Sequence, residues 1–212
     1  MALRSHAQAL LSGIYAIVNE GAPDPVALTQ AILAGGARIV QYRAKSGIVP
    51  DHARALRELT RAQGALFILN DDWHAVQTYD ADGVHIGPED AAPEDLAHIR
   101  ATLQHRLIGV SCGTEEEARL AENAHADYIG VGSVYATSSK ADAGAPIGIA
   151  GLSRVSRATH LPVAAIGGIT LDSIAEVRAS GVAMAAVISA ISRAAEPQAA
   201  TEGLVRAWNE AL

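Results

Sequence analysis

Residues 107–132 read LIGVSCGTEEEARLAENAHADYIGVG. The stretch opens on one apolar run, 107–111, and closes on another, 128–132. Between them Thr114-Glu-Glu-Glu117 has the form of a capping box, in which a threonine hydroxyl and a glutamate three residues on satisfy the free amides of a helix start. Strand, helix and strand thus fit into one short unit. The alternation recurs along the chain. Further apolar runs at 13–18, 38–42, 66–70, 83–86, 162–166 and 183–188 bring the number to eight. They are rich in Val, Ile and Tyr and nearly continuous in hydrophobicity, the pattern of strands buried on both faces of a parallel sheet.

Amphipathic stretches separate the runs. The stretch 25–33 opens on Pro25 and ends at Gly35-Gly36, a proline start and a glycine stop. The stretch 52–62 puts Ala55, Leu56 and Leu59 on one face, and 93–103 does the same with Leu96, Ile99 and Leu103. The stretch 171–179 carries Leu171, Ile174 and Val177, and the last segment aligns Leu204, Trp208 and Leu212. Eight strands alternating with helices predict a parallel α/β fold. Eight units in 212 residues leave about 26 residues each, enough for a compact (β/α)8 TIM barrel. An open dinucleotide-binding sheet lacks its Gly-x-Gly-x-x-Gly signature after the first strand. No linker or low-complexity block divides the chain, so residues 1–212 are expected to form a single catalytic domain.

Composition narrows the function classes. Hydrophobic residues make up 50% of the chain, which excludes disorder as its main state. Sixteen basic residues face 23 acidic ones, for a net charge of −7. No basic run offers a nucleic-acid footprint. No apolar run reaches the roughly 20 residues that span a bilayer. The first twelve residues lack the apolar core and cleavage site of a secretory leader. Cys112 has no partner in the chain, so no disulfide framework exists. A cytoplasmic protein is expected. The oligomeric state stays open, a homo-oligomer included.

In a barrel of this kind the active site lies at the C-terminal ends of the strands. The residues there are polar and charged, and the opposite end shows no comparable set in the sequence. Gln41, Arg43 and Lys45 alternate along one side of an extended chain. Two cations and an amide on one edge suit a many-oxygen anion such as a diphosphate. Taken alone, Arg43 and Lys45 also fit two solvated loop charges. Asp71 and Asp90 follow adjacent strands. Two carboxylates beside a diphosphate outline a Mg²⁺ site, since that ion takes one or two carboxylates plus phosphate oxygens. Alone, they also fit acids near helix N-termini. Asp72 and Glu89 are the poorer ligand candidates. Gly167-Gly168 and Ser189 follow the last two strands, where barrels bind phosphate through backbone amides. Thr137, Ser138, Ser139 and Lys140 form a flap with three hydroxyls and a cation beside Gly144 and Gly148. Cys112 reads as a small wall residue and His85 as a packed histidine rather than a base. No histidine spacing suits zinc. A diphosphate site with Mg²⁺ beside a monophosphate site suggests transfer from a diphosphate substrate to a phosphorylated acceptor.

Ordered motifs reinforce this reading. They are Gln41-Tyr-Arg43-Ala-Lys45, Asn70-Asp71, Gly83-Val-His85-Ile-Gly87-Pro-Glu89-Asp90, Gly109-Val-Ser111, Thr137-Ser-Ser139-Lys140 with Asp142-Ala-Gly144, and Ala165-Ile-Gly167-Gly168-Ile169. In this order the chain resembles the thiamine phosphate synthase family over nearly its whole length. The resemblance implies a (β/α)8 barrel. It implies that a hydroxymethylpyrimidine diphosphate loses pyrophosphate and is captured by the nitrogen of a thiazole phosphate, plain or carboxylated, to give thiamine phosphate. It assigns Gln41, Arg43, Lys45, Asn70, Ser111 and Lys140 to the pyrimidine diphosphate, with Arg43, Lys45 and Lys140 as the catalytic cations. Asp71 and Asp90 match the Mg²⁺ ligands. Thr137, Ser138, Ser139, Gly168, Ile188 and Ser189 match the thiazole phosphate contacts. Three positions depart from the family pattern: Pro88 where glutamine is common, Gly113 where histidine is common, and Ser139 in place of threonine. A thiazole tautomerase-like isomerase on the same fold and a non-catalytic thiamine-phosphate-binding protein are the alternatives. The first would need an acid–base residue near position 113, which Gly113 cannot supply.

Overall fold

Side chains alternate across an extended strand, and that alternation sorts this chain's apolar residues into two cores. The computed structural model describes residues 2–87, 93–137, 139 and 144–211. The strands are β1 (Gly13–Asn19), β2 (Ile39–Arg43), β3 (Leu66–Asn70), β4 (Gly83–Ile86), β5 (Leu107–Cys112), β6 (Tyr128–Val131), β7 (Val163–Ile166) and β8 (Met184–Val187). All pair in parallel, each with its sequence neighbours, and β1 pairs with β8 from Gly13 opposite Met184 to close the barrel. Ile14, Ala16 and Val18 of β1 pack outward with the helices. Tyr15 and Ile17 point inward with Ile39, Ile68, Leu107, Tyr128 and Met184. The expected barrel is therefore the observed fold, with strand ends displaced by a residue or two; Pro162, Ala183 and Ile188 lie just outside the ladder.

Among the described residues the helices are α1 (Ala2–Ala9), α2 (Pro25–Ala34), α3 (Pro50–Ala62), α4 (Ala75–Thr78), α5 (Pro93–Thr102), α6 (Glu115–Asn123), α7 (Gly148–Ser156), α8 (Ile174–Ala179), α9 (Ser189–Ser192) and α10 (Pro197–Glu210). Local chemistry explains their starts. The Asp24 carboxylate accepts from the Val26 and Ala27 amides ahead of Pro25 at the first turn of α2. The Thr114 hydroxyl accepts from Glu117 N, and the Glu117 carboxylate accepts from Thr114 N, completing the expected capping box of α6. Two expectations shift. The buried face of α3 is Ala53, Leu56 and Thr60, with Ala55 and Leu59 at its margin. Residues 171–173 form a turn, so α8 begins at Ile174. Leu212 of the expected last stripe lies outside the described residues.

The N-terminal ends of the strands are charged, contrary to the sequence expectation. Sequence position hid this, because the charges come from five separated segments and neutralise one another. Asp82 accepts from Arg57 (2.8 Å) and from Phe67 N (2.8 Å). Asp80 accepts from Arg106 (2.7 Å), Arg57 (3.3 Å) and Arg61. Burial alone would raise the Asp80 carboxyl, but its hydrogen bond and charge contact with Arg106, aided by Arg57, hold it below its ordinary 3.8. A lowered folded-state pKa stabilises above the unfolded value and is lost as pH falls through the folded one. Asp80→Asn is thus expected to lower Tm at pH 7, with the gap to wild type closing as pH drops below about 4. Tm measured against pH checks this; a gap that does not change with pH contradicts it.

α1 closes the same end. Ala7 and Leu11 pack into the inner core, while Arg4 and Gln8 bond the buried Asp127 carboxylate. At the opposite end of the barrel the described residues line a cavity.

Candidate active site

At the C-terminal ends of the strands lies a cavity of about 350 Å³. Eleven of the residues expected at the site line it: Gln41, Arg43, Lys45, Asn70, Asp71, Ser111, Thr137, Ser139, Gly168, Ile188 and Ser189. Asp90, Ser138 and Lys140 lie outside the described residues, as does Pro88. Small residues make the space: Gly130, Gly132, Ala164 and Ala186 face the cavity from β6, the turn after it, β7 and β8.

The charged wall comes from β2 and β3. Gln41 and Arg43 alternate inward with Ile39, and Lys45 follows two residues later. The loop carrying Lys45 is fastened by Glu20, whose amide donates to Arg43 O (2.9 Å) and whose carboxylate accepts from Ser46 N (2.9 Å). Sequence reading passed over Glu20, since an exposed-looking acid after a strand carries no signal of its own. Lys45 donates to Asp71 Oδ2 at 2.5 Å. The same carboxylate accepts from the Asn70 amide and, through Oδ1, from Gly87 N (3.2 Å). Asp71 sits at φ 62°, a left-handed conformation that is uncommon outside glycine and found at functional turns. Asp72, the poorer ligand candidate, turns away and accepts from Ala75 N (3.1 Å) at the start of α4.

The opposite wall is backbone-rich. Gly167 and Gly168 have φ of 103° and 65°. A methyl group at Gly168 would lie 2.5 Å from Ala136 O and 2.8 Å from Tyr135 Cβ, so only glycine lets this turn meet the base of the flap. Tyr135 N donates to Gly167 O (2.9 Å), and its hydroxyl donates to Glu176 on α8 (2.7 Å). Burial and the Glu176 carboxylate push that phenol up to about 12.

Cys112 lines the cavity as expected of a wall residue. Burial, with the Glu117 carboxylate nearby, pushes its thiol up to about 12, so it carries no thiolate at neutral pH. His85 also lines the cavity, with Nε2 3.0 Å from Ser111 Oγ. Gly113 has open space at its Cβ position, with only Glu117 Oε2 at 3.5 Å. Among the described residues no three His, Cys, Asp or Glu side chains cluster as a metal cage. The arrangement is cationic and amide-rich at one wall and glycine-rich at the other. It suits the binding of two anionic groups and the departure of one.

A family model for thiamine monophosphate synthase matches residues 14–191. The chain belongs to the thiamine monophosphate synthase family. It is 44% identical to the thiamine-phosphate synthase of Moorella thermoacetica over 187 residues, which cover 87% of this chain and 88% of that protein. With the thiamine-phosphate synthase of Caldivirga maquilingensis it shares 38% identity over 207 residues, 95% of this chain and 99% of the relative. The solved thiamine phosphate pyrophosphorylase from Pyrococcus furiosus superposes with a TM-score of 0.87 at 35% identity, covering 97% of this chain and 98% of that one. The resemblance carried by the ordered motifs is thereby borne out for the thiamine monophosphate synthase family, and described residues of every motif line one cavity.

Proposed function

We infer that the protein is a thiamine-phosphate synthase, a transferase acting on small molecules. It joins 4-amino-2-methyl-5-hydroxymethylpyrimidine diphosphate to a thiazole phosphate, plain or carboxylated, giving thiamine phosphate and pyrophosphate. The observation that carries the reading is the convergence of Arg43, Lys45, Asn70 and Asp71 with Gly168 and Ser189 on one cavity. The bond between the pyrimidine methylene and the diphosphate oxygen breaks, and its electron pair leaves with pyrophosphate. The thiazole nitrogen then supplies the pair that forms the new C–N bond. Arg43 and Lys45, with Lys140 from the flap, neutralise the charge growing on the leaving group. A positioned donor of this kind is worth roughly 10²–10³ in rate. Gln41, Asn70 and Ser111 hold the pyrimidine diphosphate. Thr137, Ser138, Ser139, Gly168, Ile188 and Ser189 hold the thiazole phosphate beside it, which replaces a bimolecular encounter by a local one.

The carboxylate at the site fits Mg²⁺. Asp71 offers a hard oxygen ligand beside the phosphate-binding cations, and one or two carboxylates are what this ion takes from a protein when phosphate oxygens complete its shell. Asp71 and Asp90 would hold it. When bound, the ion supplies further charge neutralisation at the diphosphate oxygens. We assign the reaction to the whole chain, 1–212, acting as one catalytic domain. We place it in the cytoplasm, because its charged substrates do not cross bilayers unaided. No helix among the described residues is long and apolar enough to cross a membrane.

The test is pyrophosphate release from the pyrimidine diphosphate, with and without thiazole phosphate, in Mg²⁺ or EDTA. Release that needs both Mg²⁺ and the acceptor, with thiamine phosphate formed in equal amount, is the expected result. Folded protein that releases none would transfer the reading to the tautomerase-like or the non-catalytic alternative.

A further inference from the structure

After β6 the chain runs along the end of β7 before the flap begins. Val134 N donates to Ile166 O (2.8 Å) and Tyr135 N to Gly167 O (2.9 Å). The returning side of the flap holds the same stretch: Ile147 N donates to Ser133 O (2.9 Å) and Gly148 N to Val134 O (3.0 Å). Both sides of the flap thus rest on residues 133–135, and these rest on the turn at Gly167-Gly168. The approach is as close as backbone allows. A methyl group at Gly167 would lie 2.6 Å from Ser133 Cβ, and one at Gly168 would lie 2.8 Å from Tyr135 Cβ. Beyond this frame Thr137 and Ser139 line the cavity together with Gly168 and Ser189, and Ser139 N donates to Thr137 Oγ1 (3.1 Å).

Tyr135 grips the segment 167–176 at both ends. Its amide bonds Gly167 O, and its hydroxyl donates to Glu176 Oε2 on α8 at 2.7 Å. With its pKa pushed up to about 12 the phenol keeps its proton at neutral pH, so it is the donor and the carboxylate the acceptor, a charge-assisted bond. The Ser173 hydroxyl also bonds this phenol, and Ser173 Oγ accepts from Thr170 N (3.0 Å) just after the turn. Two amide bonds in line hold the frame to β7 but act as a hinge. A side-chain bond away from that line stops the rotation. Neither Tyr135 nor Glu176 is among the residues that line the cavity, so whatever they do there is done through their neighbours.

We propose that Tyr135 and Glu176 are positioning residues for the acceptor substrate. Their bond locks the base of the flap to the Gly167-Gly168 turn and so sets the spacing between the Thr137 and Ser139 hydroxyls and the Gly168 backbone, the groups that would surround a monophosphate. The inference rests on the synthase reading for the identity of that monophosphate.

The experiment measures KM for each substrate and kcat in wild type, Tyr135→Phe, Glu176→Ala, Glu176→Gln and the Tyr135→Phe/Glu176→Ala double variant. Binding of thiazole phosphate is measured by calorimetry, with and without pyrophosphate. Tyr135→Phe is expected to raise KM and Kd for thiazole phosphate by about fivefold, the scale of one hydrogen bond, while KM for the pyrimidine diphosphate stays within about twofold. The double variant should lose no more than Tyr135→Phe alone, because both changes delete one bond. Glu176→Gln keeps an acceptor oxygen and should recover much of what Glu176→Ala loses. A role in stability alone would lower Tm and leave the ratio of the two KM values unchanged, and that result overturns the proposal, as do additive losses in the double variant. If Tyr135→Phe does not fold, Glu176→Ala breaks the same bond from an exposed position and is read by the same ratio. If wild type binds thiazole phosphate but makes no product, the synthase reading fails while the change in Kd still decides the proposal. If it does not bind thiazole phosphate, both are overturned.

Discussion

Asp71→Asn is expected to lower the rate of pyrophosphate release by about 10²–10³-fold, the cost of removing one preorganised charge from such a site. It should also raise the Mg²⁺ concentration needed for half-maximal rate by about tenfold or more. The argument is local. One carboxylate faces Lys45 at 2.5 Å and also accepts from Asn70 and Gly87 N. The substitution keeps the shape and the turn at φ 62°, which asparagine tolerates, but deletes the charge. Lys45 then loses one anionic contact, and the proposed Mg²⁺ site loses one of its carboxylates. Tm should change little, since Lys45 is half exposed and such pairs add about 1 kcal/mol or less. Titrating Mg²⁺ against rate for wild type and variant checks this. An unchanged rate with an unchanged Mg²⁺ requirement would contradict the proposed role of Asp71 as a metal ligand.

The second large effect concerns stability. Asp127→Ala is expected to cost about 3–5 kcal/mol, the range for breaking a buried ion pair from one side. Its side chain is fully buried. Oδ1 accepts from Arg4 (2.7 Å) and Gln8 (2.7 Å) of α1; Oδ2 accepts from Arg100 of α5 (2.5 Å) and Ile108 N of β5 (2.8 Å). Alanine leaves two guanidinium groups and a buried amide facing a space with no acceptor. At about 2–4 °C per kcal/mol for a domain of this size, Tm should fall by roughly 10 °C. Arg4→Ala should cost much less, because Arg4 is the more exposed cation and Gln8 still holds α1 to the same oxygen. Thermal unfolding of the two variants decides it. Equal, small shifts would mean that Asp127 does not lock α1 to the barrel.

The placement of the cavity residues was legible because strand-end position translates directly into geometry in this fold. Once eight runs are counted, the residues after each run must meet at one rim, so Arg43, Lys45, Asp71, Gly168 and Ser189 could be grouped without coordinates. Glu20 and Asp72 show the limit. Both are acids beside strand ends, yet one fastens the Lys45 loop and the other bonds the start of α4. Residue type and position are the same for an acid that faces the cavity and one that faces its own backbone, and only the side-chain direction separates them.

By itself the sequence determined the eight-stranded parallel barrel, the end at which its cavity lies and the family to which it belongs. Each of these rests on local periodicity and short motifs. The tertiary structure alone decided the docking of α1 under the barrel, the self-neutralising charges around Asp80 and Asp127, and the meeting of the Tyr15 and Tyr128 hydroxyls inside the barrel. Tyr15 and Tyr128 stand 113 positions apart, and in their strands each reads as one more apolar residue. Their hydroxyls meet because closing the barrel brings inward-facing residues of non-adjacent strands together. No periodicity along the chain encodes that distance.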